Sequence, residues 1–217
     1  MFTVSTCWLL NYKEIMKYHH GNLKENLIQQ AFMACEESGW ENISLRNLAK
    51  QLNVSQTAPY RHFETKEDLL AEVAAKGFEK MNTDMNKTSN FLANGLAYCD
   101  FALKYQNTYD LMFGNSLGSF TQYPALLNQA HLAFMTLENN LEDHLVNLGH
   151  SDLPKDIIEE KALSVWAFMH GIVGILRKTE IASADTKPSE GPMKIMNNLN
   201  NNWDKYIEKS IDNILSI

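Results

Sequence analysis

The fold is indicated most clearly by residues 44–63, which read SLRNLAKQLNVSQTAPYRHF. Ser44 is a typical N-cap for a short helix. The apolar residues that follow lie on one helical face: Leu45, Leu48, Ala49 and Leu52. Asn53 comes where a tight turn between helices needs a left-handed backbone, which asparagine tolerates. Ser55 can then cap a second short helix from Gln56 to His62.

Two short helices joined by such a turn predict a helix-turn-helix unit, whose second helix can lie in a major groove of DNA. Ala49 is small where the two helices must cross closely, and Val54 and Phe63 can close a small core around them. Pro59 falls in or just after the first turn of the second helix, where proline is tolerated.

Further helices are predicted on both sides of this unit. Upstream, apolar residues recur at helical spacing up to Gly39, at Leu23, Leu27, Ala31, Ala34 and Cys35. Downstream, Thr65 can cap a longer helix whose first turn contains Glu67 and Asp68, where the helix dipole favours acidic side chains. These segments together predict a small helical head.

The rest of the chain has helical periodicity and no clean alternation of apolar and polar residues. Long helices are expected over residues 91–105, 123–148 and 154–178, with a short piece at 111–113, a loop over 182–192 and a final helix from Met193 or Leu199 to Leu215. Only 10 Gly and 5 Pro in 217 residues leave few turns, which weighs against an all-β fold. We predict an all-α fold of about nine helices.

The charge distribution separates the head from the remainder. The net charge is −7, but residues 17–66 contain 6 Lys/Arg against 5 Asp/Glu, and residues 67–217 contain 12 against 20. A near-neutral head can therefore approach phosphates although the whole chain is acidic. We expect residues 1–16 to be either an extension outside the fold or the result of a start codon assigned too early, residues 17–81 the head, and residues 82–217 a larger body.

Several function classes are disfavoured by missing motifs. The sequence has no GxSxG, P-loop, HExxH or glycine-rich dinucleotide turn, so an enzyme, a bound cofactor and a metal site are not expected. It has no apolar run long enough to span a membrane and no secretory signal pattern. Cys7, Cys35 and Cys99 form no CxxC pair, which suits a reducing cytoplasm.

Polar side chains concentrate on the outward face of the predicted helix-turn-helix. Phosphate contacts are expected from side chains with a hydroxyl, ring N–H or positive charge: Ser44, Arg46, Tyr60, His62 and Lys66. Base-edge contacts are expected from Gln56, Thr57 and Arg61, because Gln pairs well with adenine and Arg with guanine. The alternative for the whole unit is an ordinary helical hairpin in an interaction or scaffold protein without DNA binding.

The motifs around these residues resemble the TetR/AcrR family of bacterial transcriptional repressors. The resemblance covers roughly residues 18–80 and rests on YHHGNL at 18–23, GWENISLR at 39–46 and APYRHFETKEDLL at 58–70. WAFMHG at 166–171 resembles the Trp-His-Gly signature of one C-terminal subclass. The resemblance implies a DNA-binding head, a ligand-binding helical body and a homodimer through the last two long helices. It also implies a repressor released from its operator by a small-molecule effector.

If the body holds an effector, the aromatic, histidine and methionine side chains at helical spacing are the candidates to line its site: Tyr98, Phe101, Phe113, His131, Phe134, Trp166, Met169 and His170. The alternative is that most of them are core, and that His131 and His170 are satisfied core histidines. Gly171 and Gly174 either let two helices of a dimer approach closely or locally loosen one helix.

Overall fold

The computed structural model describes residues 22–88, 90–182, 194 and 202–216 of the chain. The predicted extension over residues 1–16 and nearly all of the predicted 182–192 loop lie outside these residues. Within the described ranges the secondary structure is entirely helical, as the sequence predicts.

The described residues contain eight α-helices, close to the nine expected. They are α1 (Leu23–Ser38), α2 (Leu45–Gln51), α3 (Lys66–Met85), α4 (Phe91–Lys104), α5 (Gln106–Phe113), α6 (Pro124–Asn147), α7 (Lys155–Ala182) and α8 (Trp203–Leu215). Three short 3₁₀ turns lie at Trp40–Asn42, Pro59–Arg61 and Phe120–Gln122.

The turn chemistry of the head is as predicted. Gly39 ends α1 with φ +82°, and Asn53 follows α2 with φ +53°, so both adopt backbone conformations with positive φ. Ala49 is fully buried at the helix crossing, and Phe63 closes the core between α1, α2 and α3. Three helices and two tight turns therefore form the head.

The second short helix of the head differs from the prediction. Instead of an α-helix from Gln56 to His62, the structure has a single 3₁₀ turn at Pro59–Arg61, and the Ser55 side chain bonds to Thr57 rather than capping a helix. Pro59 has no N–H to donate to the Ser55 carbonyl, which accepts from the amide of Ala58 instead. After Pro59, the amides of Arg61 and His62 also donate to carbonyls three residues back, so the segment forms tight turns rather than an α-helix.

The helix α3 connects the head to the body without a break. Thr65 caps it with a full capping box, in which the Thr65 side chain accepts from the Asp68 amide and the Asp68 carboxylate accepts from the Thr65 amide. The helix continues to Met85, across the predicted boundary between residues 81 and 82. The head and the body therefore share this helix.

In the body, α3 packs against three other helices. Its partners are α6, α4 and α5, while α7 packs against α4 and α6, and α8 against α7 and α4. The crossing of α3 with α5 is very close: a Cβ added to Gly77 would lie 2.5 Å from Met112 Sδ and 2.7 Å from Thr108 Cγ2. Both of these side chains are fully buried.

The helix α5 begins earlier than the predicted short piece at residues 111–113. Its amino-terminal end is capped from the head, since the Thr108 amide donates to Glu36 Oε1 at 2.7 Å and the Asn107 side chain donates to the Glu36 carbonyl. Burial raises the pKa of Glu36. On the same helix, Asp110 makes a two-bond ion pair with Arg177 of α7, at 2.6 and 2.7 Å.

None of the helices in the described part of the chain has a stretch both long and apolar enough to cross a membrane.

The close crossing at Gly77 can be tested by measuring stability. We expect Gly77→Ala to lower the free energy of unfolding by roughly 1–3 kcal/mol, because the new methyl group overlaps two buried side chains. The matched control is Gly95→Ala in α4, where the added Cβ meets Met169 Cε at an ordinary 3.5 Å. This control should be neutral or stabilising by up to about 1 kcal/mol, as expected for alanine in a helix. Urea denaturation at fixed protein concentration measures both, and equal stabilisation of the two variants would contradict the crossing.

Candidate nucleic-acid interface and effector cavity

The polar side chains predicted to contact DNA all belong to residues 44–66 of the head. Most are exposed: Arg46, Gln56, Thr57, Tyr60, Arg61 and His62. Tyr60 is 46% exposed, which is unusual for a large aromatic residue in a folded domain. A surface of hydroxyl, amide, guanidinium and imidazole donors suits phosphates and base edges.

Three of these side chains, those of Tyr60, Arg61 and His62, lie in or directly after the 3₁₀ turn. A 3₁₀ helix has three residues per turn, so successive side chains point about 120° apart. Tyr60 and Arg61 in the turn and His62 directly after it therefore point in different directions. His62 also borders a surface groove shared with Tyr123 and Pro124 of the body, which places it on the body side of the set.

The remaining phosphate candidates, Ser44 and Lys66, are half-buried. Ser44 occupies the N-cap position of α2 as predicted, but its hydroxyl makes no capping hydrogen bond. The Lys66 ammonium donates to the backbone carbonyl of Glu41 at 2.5 Å, which ties the start of α3 to the link between α1 and α2. Lysine has three donors, so this bond leaves two for another acceptor.

A cavity of about 350 Å³ lies inside the body, between α3, α4, α5, α6 and α7. Its walls are mainly aromatic and methionine side chains, and the full set of lining residues is Phe78, Met81, Met85, Tyr98, Met112, Phe113, Gly114, Phe120, Ala130, Ala133, Phe134, Leu137 and Trp166. Gly114, at the end of α5, is itself exposed.

The cavity wall carries two polar groups in its side chains, the Trp166 indole N–H and the Tyr98 hydroxyl, and the hydroxyl belongs to a short chain of hydrogen bonds. Tyr98 Oη and Tyr109 Oη are 2.7 Å apart, and Tyr109 Oη lies 2.6 Å from Nδ1 of His170. Burial raises the pKa of both tyrosines and lowers the pKa of His170. All three groups are therefore neutral at physiological pH.

The structure brings four of the predicted effector residues to this cavity: Tyr98, Phe113, Phe134 and Trp166. Met169 lines a smaller neighbouring cavity of about 40 Å³. His170 joins the polar chain behind Tyr98, and its ring packs against Phe113 and Trp166.

Two of the predicted residues lie elsewhere. Phe101 is buried beside Tyr105, with ring centroids 5.1 Å apart, and Tyr105 in turn packs on Phe32 of the head. His131 is exposed on an outer groove between α6 and α7. Helical spacing alone cannot distinguish these faces, because it fixes which residues share a face but not which neighbour that face meets.

The sequence prediction missed Tyr109 and the three cavity residues of α3, namely Phe78, Met81 and Met85. Tyr109 lies before the short piece at residues 111–113, which is all that the sequence predicts of α5. The α3 residues recur at helical spacing, which is the signal that could have found them, but they lie near the boundary predicted at residue 82. The continuity of α3 places them in the body.

The two described cysteines are unpaired and buried, and burial raises the pKa of Cys35 and of Cys99 to about 12. Their thiols are protonated and unreactive under ordinary conditions. Over residues 22–88, 90–182, 194 and 202–216, no group of three or more His, Cys, Asp or Glu side chains is arranged to hold a metal ion.

Comparison with known proteins matches the head to a family. Residues 27–73 match the family model described as bacterial regulatory proteins, tetR family. This segment contains every residue predicted to contact DNA, from Ser44 to Lys66, so the match supports a DNA-binding transcriptional regulator. No curated protein matches the chain significantly.

Solved structures share the fold over nearly the whole chain. A protein of unknown function from Rhodococcus sp. RHA1 is 24% identical, with a TM-score of 0.66, and the alignment covers 92% of this chain and 96% of that one. The TetR family transcriptional regulator PfmR from Thermus thermophilus is 17% identical, with a TM-score of 0.52 and coverage of 84% and 97%. A variant of TetR from Acinetobacter baumannii AYE, in complex with minocycline, is 18% identical, with a TM-score of 0.54 and coverage of 89% and 98%.

The depressed pKa of His170 predicts a specific dependence of stability on pH. The folded state prefers the neutral imidazole of His170, so the neutral side chain contributes to the free energy of unfolding. This contribution is fully present above the ordinary pKa of 6.5 and is lost as the pH falls from there through the lower pKa of the folded state. We expect His170→Gln to remove this component, so that the stability difference between wild type and variant shrinks between pH 7.5 and 5.5. The control is His150→Gln, at an exposed histidine, which should follow the wild-type curve. Parallel curves for wild type and His170→Gln in thermal unfolding would contradict the assignment.

Proposed function

We propose that the protein is a TetR-family transcriptional regulator that binds a pseudo-palindromic DNA operator as a homodimer and releases it when a small molecule fills the body cavity. The observation that carries the proposal is the exposed polar set within residues 44–66 of a head that matches the family model over residues 27–73. The packing of an ordinary helical hairpin does not require Arg46, Tyr60 and Arg61 to be exposed on one short unit.

The shared helix α3 supports a mechanism for release. Its first residue, Lys66, belongs to the head, and Phe78 on the same helix lines the cavity about 18 Å along the helix axis. A molecule that displaces Phe78, Met81 or Met85 therefore displaces a helix whose first turns belong to the head. Effector and operator then compete through one conformational equilibrium, in which the effector favours a spacing of the two heads that does not fit the operator.

A second connection from cavity to head runs through α5. Met112 and Phe113 line the cavity on this helix, and the Thr108 amide nearer its other end bonds to Glu36 of α1. Displacement of α5 by an effector therefore reaches the head through a hydrogen bond as well as through α3.

The surface of α7 supports the dimer. Its exposed face is apolar or lacks side chains at successive helical turns: Leu163, Ala167, Gly171, Gly174 and Ile175. A Cβ added to Gly171 or Gly174 meets nothing within 4 Å, so this face is open within the chain. Tyr206 of α8 is exposed and packs on Phe168 of α7. The same face on two copies gives an isologous contact of four helices.

DNA binding is tested by fluorescence anisotropy, with DNA from upstream of the protein's own gene against a scrambled duplex over a range of salt concentrations. We expect sequence-dependent binding with two chains per site. Arg46→Ala should weaken binding to all sequences and reduce the slope of log affinity against log salt by about 1, because one phosphate contact with counterion release is lost. Tyr60→Phe should weaken binding uniformly without changing the slope, since the hydroxyl carries no charge.

Arg61→Ala should instead relax the preference at one or two base pairs, where a bidentate contact contributes roughly 1–3 kcal/mol of discrimination. The control is Lys155→Ala, which removes an exposed charge from the body and should leave DNA binding unchanged. A folded dimer that binds neither duplex would overturn the proposal and favour a helical interaction protein.

The dimer is tested with two variants at equally exposed apolar positions. Ile175 on the proposed seam is 38% exposed and Leu132 on the outer side of α6 is 40% exposed. We expect Ile175→Asp to raise the dimer dissociation constant by about 100-fold or more, because symmetry places two unpaired charges in one apolar contact. Leu132→Asp should leave it unchanged. Sedimentation velocity measures both, and an unaltered dimer in Ile175→Asp would place the seam elsewhere.

A further inference from the structure

We propose that the body cavity selects a neutral, mainly aromatic molecule that carries one hydroxyl or carbonyl oxygen, and that this oxygen bonds to Tyr98. The inference deepens the proposed function by naming the chemical class of the effector, and its regulatory meaning rests on that function. The ligand preference itself is measurable without DNA.

The first argument is the absence of charge from the cavity wall. Of the thirteen lining residues in the described part of the chain, none is Asp, Glu, Lys, Arg or His. The charged pair behind α5, Asp110 and Arg177, is already joined by two hydrogen bonds at 2.6 and 2.7 Å. A charged ligand would lose its hydration on entry without gaining a partner, which is costly in an apolar environment.

The second argument is the shape and chemistry of the apolar wall. Phe78 meets Phe113 and Phe120 edge to face, with ring centroids 5.3 and 6.3 Å apart, and Phe134 meets Trp166 in the same way at 6.4 Å. Such walls present both ring faces and ring edges to a planar guest. The methionines of the wall are flexible side chains that adapt to its outline. At interior packing density, about 350 Å³ suits roughly 10–20 non-hydrogen atoms.

The third argument is the polar chain that ends at the wall. Tyr98 lines the cavity, while Tyr109 and His170 stand behind it at hydrogen-bond distance. If Tyr98 donates to Tyr109, and Tyr109 to His170 Nδ1, the Tyr98 oxygen has two acceptor positions, of which the Trp166 indole N–H takes one and a ligand hydroxyl can take the other. With the other histidine tautomer the chain reverses, and Tyr98 donates to a ligand carbonyl. Either direction offers one neutral bond to one oxygen.

The experiment uses three probes that share a naphthalene ring and differ in one group: 1-naphthol, naphthalene and 1-naphthoate. Isothermal titration of the full-length protein at pH 7.5 measures their affinities. We expect 1-naphthol to bind most tightly, naphthalene about 5–10-fold more weakly because it lacks the hydrogen bond, and 1-naphthoate at least about 10-fold more weakly because its charge has no partner.

Two variants locate the probe. Tyr98→Phe should weaken 1-naphthol about 5–10-fold and leave naphthalene unchanged, which separates loss of the bond from loss of the fold. Ala133→Leu should fill part of the cavity and weaken both probes at least about 10-fold. The matched control is Tyr123→Phe, at a tyrosine of the body outside this cavity, which should bind all three probes as the wild type does.

The outcomes distinguish this inference from the proposed function. Tightest binding of 1-naphthoate, no binding of 1-naphthol, or unchanged binding by Ala133→Leu would overturn the inference, while operator binding by the unliganded protein would still support a regulator. Binding with the expected order and variant effects supports the inference. If 1-naphthol then leaves operator affinity unchanged, the cavity preference stands and the ligand-release part of the proposed function fails.

Discussion

The close crossing of α3 and α5 at Gly77 positions both functional regions of the molecule. Only a glycine leaves room for the buried side chains of Met112 and Thr108 at this distance. The crossing holds Met112 and Phe113 against the α3 residues that complete the cavity wall. Since α3 also begins in the head, the same contact sets where the cavity lies relative to the helix-turn-helix.

Three consecutive residues of α5 connect that crossing to three different parts of the fold. The Thr108 amide bonds to Glu36 of the head, the Tyr109 hydroxyl to the chain behind the cavity, and the Asp110 carboxylate to Arg177 of α7. Hydrogen bonds and ion pairs of this kind have definite geometry, so α5 cannot shift for one partner without straining the other two. In the proposed mechanism, an effector that displaces α5 consequently strains its bonds to α1 of the head and to α7, the helix of the proposed dimer face.

Local signals in the head were strong enough to predict its structure from the sequence. The N-cap positions of Ser44 and Thr65, the left-handed Asn53 and the helix end at Gly39 depend on neighbours within a few residues, and the structure has each of them in place. The prediction was wrong at Gln56–His62, where Pro59 cannot donate a hydrogen bond and the amides of Ala58, Arg61 and His62 donate to carbonyls three residues back. There the periodicity of the side chains suggested a longer helix than the backbone bonds permit.

The sequence by itself determined the helical class and, apart from Gln56–His62, the helices and turns of the head, because capping, turn conformation and periodicity are local properties of the chain. Only the tertiary structure decided which aromatic residues share a cavity. Phe101 and Phe113 were both predicted to line an effector site, yet one packs beside Tyr105 near the head and the other lines the cavity. The polar chain of Tyr98, Tyr109 and His170 joins residues up to 72 positions apart, and such contacts follow from helix packing rather than from any local pattern.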